Sequence, residues 1–380
     1  MTDPRAQELL HTPEGLWDHY GKDIAEYRTI TSEIARQMHL FGFEDIRTPT
    51  FEFFDVFSKE IGTTPSRELY KFFDKDGNTL VLRPDFTPSV ARCAAKYFME
   101  EKKPLRFCYE GSAFINTSSL QGKLKEFTQT GAEYIGEDSA QADAEILALL
   151  ISCLKASGLE QFQIAVGNVE YFKGICSAAG IDEQSEKRLR EYISGKNYYA
   201  ASDLLEQIGT DSSYRDQFLK ITDYVNSPEE LMAVLEQAPN ARAAGAIQRL
   251  IDIRRILEIY GAVDYVSFDL SLLSKYQYYT GVIFKGYTYG IGDAAASGGR
   301  YDRLLSHFGK DTPAIGFMIQ IDMLLEALRA QRISIPASQE PARLYYTKSN
   351  YTQMLESAME MRRQGKAVAL EASEEAEDAG

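Results

Sequence analysis

Residues 125–136 read KEFTQTGAEYIG, from Lys125 to Gly136. The segment predicts a β-strand, and a period of two puts Phe127, Gln129, Gly131 and Glu133 on one face. Gln, Gly and Glu together are unusual on a core-facing strand. A carboxylate is expensive to bury without a cation, so Glu133 either faces water or holds one. Two readings stand here. One is a solvated strand face. The other is an open cleft in which Glu133 takes an ammonium group and Gln129 adds a hydrogen bond.

The segments around it extend the pattern. PLRFCYEGSAFI (104–115) predicts a second strand, joined to the first through the polar loop NTSSLQGKL (116–124). LYKFFDKDGNTLVLRPDF (69–86) predicts a hairpin turning at Asp76-Gly77-Asn78. Thr87-Pro88 predicts an N-cap and first residue for a helix over 88–99. Asp85 is then either a cap of that helix or a second carboxylate of a site. Near-helical spacing of Ile24, Tyr27, Ile30, Ile34 and Met38 predicts a helix over 23–40, and another is expected over 139–156. FQIAVGNVEYF (162–172) predicts a strand with a Gly-Asn turn. Residues of about 170–260 are locally charged, helix-like and poor in strand signals, which marks an inserted helical subdomain.

Strand signals return at VDYVSFDLSLL (263–273) and YQYYTGVIFKGYTYG (276–290). Tyr278 and Tyr279 read as core or cleft wall. SGGRYD (297–302) reads as a Gly-rich turn, in which Arg300 either helps form a phosphate nest or pairs with a nearby acid. AIGFMIQIDML (314–324) reads as a strand running into a helix start, with no Lys, Arg or His to hold a phosphate. Antiparallel strands, helices, an insertion and a small α/β tail give an α+β architecture. The expected organisation is a core over 1–325, with the insertion at about 170–260. A linker over 326–341, a β-α-β unit over 342–370 and a disordered acidic tail over 371–380 follow.

Composition narrows the function. The chain has 380 residues and a formal net charge of −15. Phosphate neutralisation dominates nucleic-acid affinity, so this balance argues against a nucleic-acid partner. Cys93, Cys108, Cys153 and Cys176 form no CxxC pair, and His11, His19, His39 and His307 are scattered, so neither a metal site nor a cofactor is expected. No apolar run approaches the ~20 residues that span a bilayer, and the first residues lack a signal-peptide pattern. A cytoplasmic protein without membrane partners is expected. P-loop, GxGxxG, diphosphoribosyl and Ser-His-Asp signatures are all missing from the sequence.

Taken in order, GFEDIRTPTFE, LRPDFTPSVAR, EFTQTGAEYIG, ADAEI, YYTGVIF, GGRYDRLL and AIGF resemble the catalytic core of histidyl-tRNA synthetases. The match covers roughly residues 20–325 apart from the inserted helices. The resemblance implies a class II aminoacyl-tRNA synthetase-like antiparallel sheet flanked by helices. It also implies a homodimer core with Pro49 and its strand near the interface. By motif position it assigns a histidine-binding set of Asp85, Thr87, Gln129, Glu133, Tyr278, Tyr279 and Arg300, with Asp85 standing where the family has Glu.

The departures from the family are equally specific. Where the synthetases carry FRHE, this chain has FINT, so Ile115 replaces an arginine that holds ATP phosphates and Thr117 replaces its acidic partner. Ser274 replaces the arginine that opens RGLDYY. Met323 replaces the arginine of GLER. Losing one donor of this kind typically costs ~10²–10³ in rate, so losing all three should abolish adenylation. The C-terminal unit is also much shorter than an anticodon-binding domain. A synthetase-like chain that keeps its amino-acid pocket and loses its ATP arginines resembles the regulatory subunits of short-form ATP phosphoribosyltransferase. That resemblance implies a catalytically silent protein, a homodimer within a hetero-oligomer. It would activate the short catalytic subunit in the first step of histidine biosynthesis and let L-histidine inhibit the assembly. The alternative is an active histidyl-tRNA synthetase or another class II-like amino-acid adenylating enzyme.

Overall fold

The computed structural model describes residues 10–57, 64–117, 124–221, 224–225, 227–274, 279–336 and 341–373. Helix α1 (Lys22–Leu40) is followed by strands β1 (Glu44–Asp45) and β2 (Phe51–Phe53), then by the hairpin β3 (Lys71–Phe73) and β4 (Thr79–Leu82). Helix α2 (Thr87–Tyr97), the long pair β5 (Leu105–Phe114) and β6 (Glu126–Ile135), helix α3 (Ala140–Ala156) and β7 (Phe162–Asn168) come next. The helical segment comprises α4 (Val169–Ala178), α5 (Glu183–Ser194), α6 (Tyr198–Gln207), α7 (Ser212–Lys220), the short strand β8 (Tyr224–Val225), α8 (Pro228–Glu236) and α9 (Ala241–Ile259). Strands β9 (Val266–Asp269), β10 (Val282–Thr288), β11 (Ala296–Arg300) and β12 (Ala314–Gln320) lead into α10 (Ile321–Ala330). The chain then forms β13 (Ala342–Tyr346), α11 (Tyr351–Arg363) and β14 (Val368–Ala372).

The main sheet has nine strands in the order β1-β5-β6-β12-β11-β10-β7-β9-β8. Its centre, from β5 through β7, is antiparallel throughout, while β1–β5 and β7–β9 pair in parallel. This is the expected α+β, class II-like sheet. Helix α3 is hydrophobic nearly all round and correspondingly buried: Ile146, Leu147, Leu149 and Leu150 are each 0% exposed. Burying such side chains stabilises the fold by ~1.5–3 kcal/mol apiece. Ser139 caps this helix by accepting a hydrogen bond from the Ala142 amide. Strands β2, β4 and β3 form a separate three-stranded sheet.

Several boundaries differ from the sequence expectations. Gly167-Asn168 is no turn. It ends β7, and the Asn168 side chain caps α4. Residues 297–300 are part of strand β11 instead of a turn. A Cβ on Gly298 would lie 2.3 Å from the Gly316 carbonyl oxygen on the neighbouring strand, so the glycines there permit close backbone approach. Thr87 is the first residue of α2 and Pro88 the second, and no side chain caps this end as a true N-cap. Helix α10 continues to Ala330, beyond the expected core boundary at 325, which shortens the linker. Glu371 and Ala372 belong to β14, and the acidic run at 374–380 lies outside the described residues. The inserted segment also supplies an edge strand, because β8 pairs with β9.

The chain divides into two compact units, one made of Met1–Asp18 with Ile30–Ile335 and the other of His19–Thr29 with Pro336–Gly380. In the second, β13 and β14 pair in parallel around α11, as the β-α-β pattern predicts. No described helix is long and apolar enough to cross a membrane.

Candidate functional site

A cleft of about 280 Å³ opens on the face of the main sheet. Phe127 and Gln129 of β6, Gly298 and Gly299 of β11, and Gly316 and Phe317 of β12 line it. Asp85 and Thr87 at the start of α2 line it too, as do Tyr279 and Tyr301. Four of the seven residues assigned from the sequence thus line one cavity: Asp85, Thr87, Gln129 and Tyr279.

Glu133 lies beneath them. It is 1% exposed, so it does not face water. It sits opposite Gly316 in the β12–β6 register, where the absent side chain leaves room for its carboxylate. Thr87 Oγ1 donates to Glu133 Oε1 at 2.7 Å, the Tyr109 hydroxyl donates to the same oxygen at 3.4 Å, and the Tyr301 hydroxyl donates to Oε2. Among the described residues no cation pairs with Glu133. The solvated-face branch of the sequence expectation is therefore excluded. Burial, with the Asp85 charge adding to it, pushes the Glu133 carboxyl up to about 8 against the opposing effect of the three hydroxyls. Tyr109 and Tyr301 were missed from the sequence. Tyr301 stood within the quoted GGRYD motif, whereas nothing local marked Tyr109.

Gln129 is 3% exposed, and its Oε1 has no hydrogen-bond partner among the described residues. An orphaned buried acceptor beside a cleft is what a missing ligand would leave. Asp85 lines the cleft, and its Oδ1 accepts the amide of Thr87, the first residue of α2, at 3.2 Å. Tyr279 packs over β11, where a Cβ on Gly299 would lie 2.7 Å from its ring. Burial raises the Tyr279 hydroxyl far above its ordinary value, with Asp85 and Glu133 adding to the effect.

Arg300 is not brought to the cleft. It is 3% exposed and engages Asp143 at 2.5 Å, Asp302 at 3.1 Å and the Glu137 carbonyl at 3.1 Å. The ion-pair reading of Arg300 is the one the structure shows, and Arg300 is not among the described residues lining the cleft. Tyr278 lies outside the described residues. Ile115 and Ser274, two of the three positions where synthetases place an arginine, line the cleft, and Met323 sits in the first turn of α10. Lys285 is the one cation among the described lining residues.

Outside the cleft, His39, Asp45 and Cys108 come together, with one candidate ligand atom from each lying within 4.8 Å of the others. No motif joins these three residues, and Cys108 meets Asp45 through the β1–β5 pairing.

The profile of the histidyl-tRNA synthetase family matches residues 15–324. An ATP phosphoribosyltransferase regulatory subunit of Acetivibrio thermocellus is 36% identical over 366 residues, 96% of this chain and 88% of that protein. A crystal structure described as an ATP phosphoribosyltransferase regulatory subunit/histidyl-tRNA synthetase from Bacillus halodurans superposes with a TM-score of 0.89 at 31% identity, over 98% of this chain and 95% of the other. Histidyl-tRNA synthetase from a Nostoc species shares the fold, with a TM-score of 0.81 at 19% identity over 96% of this chain and 86% of its own.

Proposed function

The chain belongs to the ATP phosphoribosyltransferase regulatory subunits, proteins built on the histidyl-tRNA synthetase fold, and from that premise we propose that it is a non-catalytic, histidine-sensing partner of a short catalytic subunit. The catalytic subunit requires it for activity in the first step of histidine biosynthesis, in the cytoplasm. L-Histidine binds the cleft and inhibits the assembly.

The observation that carries this reading is the composition of the cleft. A buried carboxylate, Glu133, lacks a cation among the described residues, and the Gln129 acceptor lacks a donor. An amino acid supplies both: its ammonium group suits Glu133 and Asp85, and an imidazole N–H suits Gln129 Oε1, with Tyr279 lining the same cleft. A volume of about 280 Å³ suits a single amino acid. Ile115 and Ser274 offer no positive charge to a triphosphate, which disfavours adenylation. Inhibition then follows from linkage: histidine binds one state of the hetero-oligomer better and moves the population toward it. A homodimer is supported by the face of the small sheet on which Phe51, Phe53 and Phe72 are 50%, 55% and 36% exposed.

Mixing the purified protein with a short catalytic subunit tests the proposal. ATP phosphoribosyltransferase activity should rise on mixing and fall when histidine is added. No rise refutes the requirement, and a rise insensitive to histidine refutes the sensing role. The synthetase reading, which the family profile on its own would allow, predicts histidine-dependent exchange of pyrophosphate into ATP, and none is expected.

A further inference from the structure

The cluster of His39, Asp45 and Cys108 lies away from the cleft, at the β1 edge of the main sheet. His39 is in the last turn of α1. Asp45 and Cys108 are register partners in the parallel β1–β5 pair, which brings their side chains to one face of the sheet. His39 Nε2 is 3.1 Å from Asp45 Oδ2, and the Cys108 thiol donates to Asp45 Oδ1 at 3.5 Å.

Two of the three separations are close to those of a coordination shell, and the third, between His39 and Cys108, lies within 4.8 Å. Bonds of ~2.0–2.3 Å at tetrahedral angles separate ligand atoms by roughly 3.3–3.6 Å. The two measured separations need to change by only a few tenths of an ångström to meet that spacing. A set of imidazole nitrogen, carboxylate oxygen and sulfur selects a borderline-soft ion over calcium or magnesium, which take oxygen ligands. We propose that His39, Asp45 and Cys108 form a zinc site, with the fourth position open to water. The side chains of His39 and Asp45 are 48% and 76% exposed, so the ion enters from solvent and meets the buried sulfur of Cys108 beneath them. As the Zn–S bond forms, the Cys108 proton leaves to solvent. Bound zinc ties the C-terminal end of α1 to β1 and β5, adding a cross-link that the isolated His39–Asp45 pair, exposed as it is, supplies only weakly.

Cobalt titration of the full-length protein, carrying no affinity tag, tests the site. We expect one equivalent of cobalt to produce a thiolate-to-cobalt charge-transfer band that zinc then displaces. Cys108→Ser should remove the band. His39→Gln, an exposed substitution that leaves the core intact, should weaken cobalt binding on the order of tenfold or more. Absence of the band in the unaltered protein overturns the proposal. So does cobalt affinity that is unchanged in His39→Gln.

Discussion

Gly316 stands directly opposite Glu133 in the β12–β6 pair, and a Cβ at position 316 would lie 1.8 Å from Glu133 Oε2 and 2.7 Å from the Ala132 carbonyl oxygen. The glycine is therefore the space that the carboxylate occupies. Gly316→Ala should displace Glu133 or push β12 from β6, at a cost of ~1–3 kcal/mol in unfolding free energy. Histidine binding should fall with it. Denaturant unfolding and a calorimetric titration on the same preparation would check both, and an alanine variant that binds normally would show that the carboxylate has room elsewhere.

The proton on Glu133 gives a second prediction. The folded carboxyl is pushed up to about 8 from an ordinary 4.5, so the native state holds a proton that the unfolded chain has released. Stability is then full below 4.5, declines as pH rises through the interval to about 8, and levels off above it. Glu133→Gln, which cannot ionise, should flatten that decline, as urea midpoints across the interval would show. The charge of Asp85 adds to the burial that raises the Glu133 carboxyl. A ligand ammonium group reverses the preference. Histidine binding near neutral pH should therefore release a proton, detectable as a dependence of the binding enthalpy on the buffer.

Gln129→Met separates ligand binding from folding. Leaving a buried acceptor without a partner costs ~1–3 kcal/mol, so replacing Gln129 with an apolar side chain of similar length should leave stability unchanged or improved. Histidine affinity should drop at least tenfold, the equivalent of about 1.4 kcal/mol. Unchanged affinity would mean that the imidazole does not meet Gln129.

The small sheet allows a test of assembly. Phe51 and Phe72 meet edge to face with ring centroids 5.5 Å apart, and Phe53 continues the same apolar face. Phe53→Glu places a charge there and should convert a dimer to monomers in sedimentation analysis, with the fold intact by circular dichroism. A dimer that survives the substitution would place the interface elsewhere.

Much of this was legible in the sequence, for identifiable reasons. The strand over 126–135 and the helices over 22–40 and 140–156 follow local periodicity, and the order of short motifs located Asp85, Thr87, Gln129 and Tyr279. What the sequence leaves unread depends on partners distant in the chain. GGRYD does not reveal that Asp143, 157 residues away, holds Arg300 in a buried pair. The depth of Glu133 could not be read either, because the hydroxyls that cover it come from Thr87, Tyr109 and Tyr301. SGGR looked like a turn since glycines favour turns. In this sheet the same residues serve close strand packing, which only the facing Gly316 reveals.

Helix α10 follows β12 without an intervening loop, and its first turn carries Asp322, whose Oδ2 accepts the Thr128 amide at 2.7 Å. A helix N-terminus ordinarily offers a positive end to an anion. Here a carboxylate of the chain itself is placed against that end and tethered to β6. The residue after Asp322 in the same turn is Met323, which has no charge, so this end of the helix pairs a tethered carboxylate with a side chain that cannot neutralise a phosphate. ATP should accordingly be a poor competitor for histidine, which a calorimetric titration of histidine in the presence of ATP would check.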